Sequence, residues 1–173
     1  MFMSDNIKEE ELNKLAPYAK KLFEEVRPLL DRIQQDKIDK DNSKIEVKQS
    51  QKNWVLNILI KAKDERVPPL ELNASKDELS LWFGDTEIVE CYGNPEKDYK
   101  TSISGFIDDI RDYLTGITIV EYYDKKNRLF KKRLYAGINT DNIKEKQIGP
   151  TTIYGFVFFR KTNSVKKITY SFI

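Results

Sequence analysis

The chain has 173 residues, 39% hydrophobic and 12% aromatic, with 34% charged and a formal net charge of +2, which suits one folded domain with a real core and argues against wholesale disorder. No stretch approaches the roughly 20 apolar residues that cross a bilayer. The start, Met1-Phe2-Met3-Ser4-Asp5-Asn6, has neither a basic nor an apolar signal region, so a cytoplasmic protein is expected. With no His and a single Cys, Cys91, the chain lacks a histidine-assisted nucleophile, an internal disulfide and the usual zinc-ligand sets.

From Asp5 to Gln35, apolar residues recur at three- and four-residue steps: Leu12, Leu15, Leu22, Phe23, Val26, Leu29, Leu30 and Ile33. Pro17 suits the first turn of a helix, whereas Pro28 removes an amide and crowds the carbonyl four residues back, so a kink or break is expected there. Residues 35–43 are polar and aperiodic and read as a linker. The spacing therefore gives a helical arm plus linker over residues 1–42 and an α+β body over 43–173, forming one folding unit.

In the body the period turns to two, and β-branched and aromatic residues take over. Strands are expected at Lys44 to Lys48, Trp54 to Lys63, Leu70 to Ala74, Leu79 to Phe83 and Thr86 to Tyr92. Trp54 to Lys63 is apolar on one face and half apolar on the other, as in an interior strand; Pro68-Pro69 belongs at a turn or edge. Gly84-Asp85 has the signature of a two-residue II′ hairpin. That register sets Leu81 opposite Ile88 on the core face and Trp82 opposite Glu87 on the other. Ile103, Phe106, Ile107, Ile110 and Leu114 define a helix from about Asp98 to Leu114, ended by Gly116. Strands resume at Ile117 to Tyr123, Leu129 to Ala136, Thr152 to Arg160 and Val165 to Phe172, with Thr140 to Pro150 a polar loop. The fold class is α+β: an antiparallel sheet with the N-terminal helical arm and one mid-chain helix packed on one side.

Charge is sorted along this order. Residues 1–70 hold 14 Lys/Arg and 13 Asp/Glu, residues 71–124 hold 4 and 13 (net −9), and residues 125–173 hold 12 and 2 (net +10). The acidic segment offers a partner-binding face: Trp82 as an aromatic anchor, Asp85, Glu87 and Glu90 on the hairpin, and Asp108, Asp109 and Asp112 on the helix, where steps of three and four bring them together. The basic segment offers a nucleic-acid-binding hairpin, with Lys125, Lys126, Arg128, Lys131, Lys132 and Arg133 interleaved with Tyr122, Tyr123, Phe130 and Tyr135. Alternation divides those cations, with Lys131 and Arg133 on one face and Arg128 and Lys132 on the other. Cross-strand pairing of acids with bases would absorb part of the sorting, each pair contributing about 0.2 to 1 kcal/mol. No GxGxxG, GxxxxGK[ST], GxSxG or HExxH sequence occurs, so neither an enzyme nor a cofactor or metal is expected. Cys91 is read as a small filler of its strand.

The run Leu79-Ser80-Leu81-Trp82-Phe83-Gly84-Asp85, leading through a hairpin to the helix around Ile103 to Leu114 and the Tyr-rich strand Ile117 to Tyr123, resembles small bacterial proteins of the toxin-immunity type over residues 70–135. The resemblance implies a non-enzymatic, stoichiometric inhibitor that binds a protein partner, such as a basic toxin domain. It departs from nuclease inhibitors, which tend to be strongly acidic overall. Binding nucleic acid through the basic hairpin is the alternative; no membrane association is expected.

Overall fold

The computed structural model describes residues 7–50, 52–84, 86–92, 95–136, 151–153 and 160–173, with backbone alone for 86–92, 95–104 and 152. It is an α+β protein with antiparallel sheets. In chain order the described elements are α1 (Glu9–Leu12), α2 (Pro17–Leu30), β1 (Lys44–Ser50), β2 (Asn53–Ile60), β3 (Leu70–Ala74), β4 (Glu78–Phe83), β5 (Thr86–Tyr92), α3 (Pro95–Thr115), β6 (Ile117–Tyr123), β7 (Leu129–Ala136), β8 (Thr152–Ile153) and β9 (Ser164–Tyr170). The strands divide into a five-stranded meander ordered β1-β2-β3-β4-β5 and a four-stranded sheet ordered β8-β7-β6-β9. Asp85, Asn94, the expected loop over 140–150 and residues 154–159 of the expected strand lie outside the described residues.

Helix α2 opens with Pro17 at its first turn and buries Tyr18, Ala19, Leu22, Phe23, Val26, Leu29 and Leu30. These pack in one apolar cluster with Leu56, Ile58, Ile60, Leu70, Leu72, Leu79, Leu81 and Phe83 of the first sheet, Phe106, Ile110, Tyr113 and Leu114 of α3, and Ile117 and Ile119 of the second sheet. The arm therefore shares the body's core. Pro28 does not break α2, which continues to Leu30. The proline sits on the exposed side in the last turn, where it forfeits one hydrogen bond while Leu29 and Leu30 stay buried beside it.

The expected linker is also docked. Ile38 is fully buried and bridges to Ala62; the Asp39 amide donates to the Lys61 carbonyl at 2.9 Å and the Lys63 amide to the Lys37 carbonyl at 3.0 Å. The run is pinned by that one buried apolar residue together with these backbone bonds, the Tyr170 hydroxyl on the Lys37 carbonyl and Ser43 Oγ on Lys61. At the other end of the chain, Phe172 closes the core: its amide donates to Leu114 and its carbonyl accepts from Gln34. Its ring lies 5.3 Å from Tyr113, which stacks at 4.5 Å on Phe83. The Tyr113 hydroxyl donates to the Pro68 carbonyl. Helix α3 is thus fixed on the Leu79, Leu81 and Phe83 face of the first sheet.

Candidate functional site

The opposite face of the first sheet carries no described helix, and strand alternation decides what it displays. In β3 and β4 the core takes Leu70, Leu72, Ala74, Leu79, Leu81 and Phe83, so Glu71, Asn73, Glu78, Ser80 and Trp82 fall on the outer face. Cross-strand register extends this into rows. One row runs Lys44, Leu59, Glu71, Trp82, Glu87; the next runs Glu46, Asn57, Asn73, Ser80, Glu90.

The last step of those rows depends on a β-bulge. Trp82 pairs with Glu87 as the hairpin register predicts, but Leu81 pairs with Val89 rather than the expected Ile88, because the register shifts between Leu81 and Trp82. A bulge puts two residues opposite one and restarts the alternation. Positions 87 and 90, three apart, thereby fall on the same sheet face, and position 91 pairs with Leu79 on the core face. At the turn, Gly84 has φ +62°, and a Cβ there would lie 3.0 Å from Pro68 Cβ; the turn tolerates only glycine without strain.

Strands β3, β4 and β5 together contain Glu71, Glu78, Glu87 and Glu90 and no Lys or Arg. Trp82, on the same face of β4, is half-buried. The far edge differs: Glu46 is met by Lys44 at 2.9 Å and Lys48 at 3.4 Å, and the hydrogen bond from Lys44 chiefly holds the Glu46 carboxyl below its ordinary range. The face therefore grades from one net positive charge at β1 to net negative at β5.

Its centre is polar and buried. Asn57, 3% exposed, donates to Asn73 Oδ1 at 2.7 Å, and Asn73 donates to Glu71 Oε1 at 3.2 Å. Asn57 Oδ1 has no donor among the described residues. A buried acceptor without a partner costs about 1 to 3 kcal/mol, which an apolar residue at this strand position would avoid. Sequence reasoning missed Asn57, Asn73, Glu71 and Glu78 as members of this face, although their alternation with core residues carried the signal.

The helix acids lie elsewhere. Asp108 and Asp112 are exposed and Asp109 is half-buried, but α3 covers the sheet's core side, so these three and Trp82 occupy opposite sides of the first sheet. The expected single acidic face is two surfaces. Arg111 moreover pairs with Asp108, leaving the helix patch with two net negative charges. Burial, then Asp112 and Asp108, push the Asp109 carboxyl up.

The basic hairpin is organised by Asp124, whose Oδ1 accepts the amides of Lys126 at 2.9 Å and Arg128 at 3.0 Å while Oδ2 accepts from the Arg128 guanidinium at 3.0 Å. These bonds, the Arg128 amide foremost, hold its carboxyl below the usual range. Asn127 takes the left-handed position of the turn at φ +55°. Lys131 and Arg133 do share one face of β7, and Lys132 lies on the other. There Lys132 and Lys166 flank Glu121 from both neighbouring strands. The side chains go elsewhere: Glu121 accepts from the Tyr123 hydroxyl at 2.7 Å, Lys132 Nζ donates to the Arg66 carbonyl at 2.9 Å and Lys166 Nζ lies 4.9 Å from the Tyr123 ring centre, so acid–base pairing across this hairpin is seen at Asp124, which holds Arg128. Strands β7, β8 and β9 hold no acid of their own, so pairing within this sheet absorbs little of the sorted charge.

A cleft of about 600 Å³ opens between the α1–α2 junction and β2, bordered by Lys14, Lys52, Lys76, Asp77, Tyr18 and Trp54; Lys14 Nζ sits 4.5 Å above the Trp54 ring. Among the described residues, no three His, Cys, Asp or Glu side chains converge to hold a metal ion, and no helix is long and apolar enough to cross a membrane. In comparisons with known proteins, no family model, curated protein or solved structure matches this chain.

Proposed function

We propose that this chain is a non-enzymatic protein-binding module, an inhibitor of the immunity type, which engages a basic partner through the outer face of its first sheet. The observation that carries the reading is the half-buried Trp82 on a three-strand face with four glutamates and no cation. An aromatic ring on a rigid sheet supplies contact area at small entropic cost, and surrounding carboxylates steer a cationic partner and fix its register. Asn57 Oδ1 on the same face, without a donor among the described residues, supports it, since local violations of packing rules concentrate where a surface has work beyond folding.

The test is retention of host proteins on the immobilised chain at low and high salt, compared with Trp82→Ala, Glu87→Lys/Glu90→Lys and Asp108→Lys/Asp112→Lys. A partner retained by the wild type should be eluted by salt and lost by the first two variants, Trp82→Ala weakening binding by about 30-fold or more as a 2 kcal/mol hot spot requires. The helix variant should keep it. A partner whose binding ignores Trp82, Glu87 and Glu90 sinks the assignment. The purified partner's own activity, titrated with this chain, should fall to a stoichiometric end point.

A further inference from the structure

The outer face of the second sheet presents the reverse chemistry. Register puts Val165, Tyr122, Lys131 and Ile153 in one row across β9, β6, β7 and β8, and Lys167, Val120 and Arg133 in the next. Glu121, the sole acid of these four strands, lies on the other face. Three cations therefore stand here without a carboxylate from their own sheet. Val165 and Ile153, 48% and 54% exposed, are the large apolar side chains most open to solvent among the described residues, and both fall in the row with Tyr122. Lys131 Nζ lies 4.7 Å from the Tyr122 ring centre and the Arg133 guanidinium 5.9 Å.

At the hairpin end of the same strands is a recess of about 410 Å³ bordered by Lys125, Lys126, Arg128, Arg160, Lys161 and Asp124. Its one acid is turned inward, 5% exposed and committed to Arg128 and two backbone amides. Tertiary structure brings in Arg160 and Lys161 because the Asn163 amide donates to the Tyr123 carbonyl at 2.8 Å, anchoring the segment before β9 beside the hairpin. Val120 is buried, so the open part of this face is the Tyr122 row; from there to Asp124 is two residues, about 7 Å of strand, which puts row and recess within reach of one short strand as a basic track.

We propose that this track binds single-stranded nucleic acid, with phosphates in the recess and against Lys131, Arg133 and Lys167, and unstacked bases resting on the Val165, Tyr122 and Ile153 row. Charge complementarity selects a polyanion. The exposed apolar row selects a single strand, because a duplex turns its base faces inward and offers that row nothing. The track lies on a different sheet from Trp82, so it is independent of the protein-binding face.

The experiment is fluorescence anisotropy of the full chain with labelled oligothymidylate and oligouridylate of about 12 nucleotides, a duplex of equal length, and heparin as competitor. If three to five phosphates are engaged, affinity for the single strands should fall about 20-fold to about 100-fold between 50 and 200 mM salt. Lys125→Ala/Lys126→Ala, Lys131→Ala/Lys167→Ala and Val165→Asp should each weaken binding at least fivefold, with circular dichroism unchanged. Trp82→Ala and Glu87→Lys/Glu90→Lys should bind as the wild type does. The proposal is overturned by absence of binding at low salt, by duplex or heparin binding as tightly as the single strands, or by indifference to Lys131, Lys167 and Val165.

Discussion

Replacing Asn57 by valine should make the protein more stable and its sheet face less able to bind. The amide is 3% exposed with Oδ1 unpartnered among the described residues, so its removal should relieve about 1 to 3 kcal/mol of unmet desolvation. Valine suits an interior strand, where β-propensity differences span about 1 kcal/mol. Against this, the 2.7 Å bond to Asn73 is lost, a net contribution of about 1 kcal/mol; Asn73 is half-buried, so water can replace part of it. The balance is a gain of about 1 to 2 kcal/mol, which for a chain of this size raises Tm by about 2 to 8 °C. Urea unfolding followed by tryptophan fluorescence measures it, with an unchanged m value showing that the gain lies in the native state. A loss of 1 kcal/mol or more would refute the reasoning, because the oxygen would then be a satisfied and stabilising acceptor.

Gly84→Ala should lower stability by about 1 to 2 kcal/mol from the left-handed backbone alone, and more because the new Cβ meets Pro68 at 3.0 Å; thermal unfolding reads it. Tyr113→Phe should keep the stack with Phe83 and Phe172 but leave the Pro68 carbonyl without its donor, costing about 1 to 2 kcal/mol, whereas Tyr113→Ala should cost about 3 to 5 kcal/mol. Glu46, Asp64 and Asp124 are all held below their ordinary range, so each contributes stability above its unfolded value that is lost as pH falls through the lowered one. Asp109, shifted up, works in the opposite sense, and Asp109→Asn should remove a destabilising term at neutral pH. Urea midpoints between about pH 2 and pH 7 should therefore fall on acidification, less steeply in Asp124→Asn than in the wild type.

The chain alone determined the strands, because a half-buried strand writes a period of two that needs no partner to be read. Leu70 to Ala74, Thr86 to Tyr92, Ile117 to Tyr123 and Leu129 to Ala136 coincide with the elements observed, and the pairing of Trp82 with Glu87 followed from two residues of turn. Local pattern also separated Lys131 and Arg133 from Lys132. What it does not carry is energy exchanged between distant segments. Pro28 is tolerated because Leu29 and Leu30 are buried, and the polar run 35–43 is ordered because Ile38 meets Ala62 and backbone bonds tie the run to Lys61 and Lys63. The strands split into two sheets, and Asp108, Asp109 and Asp112 part from Trp82, because α3 buries its apolar stripe on the one sheet face already apolar. The bulge that aligns positions 87 and 90, and the loop that carries Arg160 and Lys161 to the hairpin, are likewise settled by packing: hydrophobic burial acts between surfaces that meet only after the chain has folded.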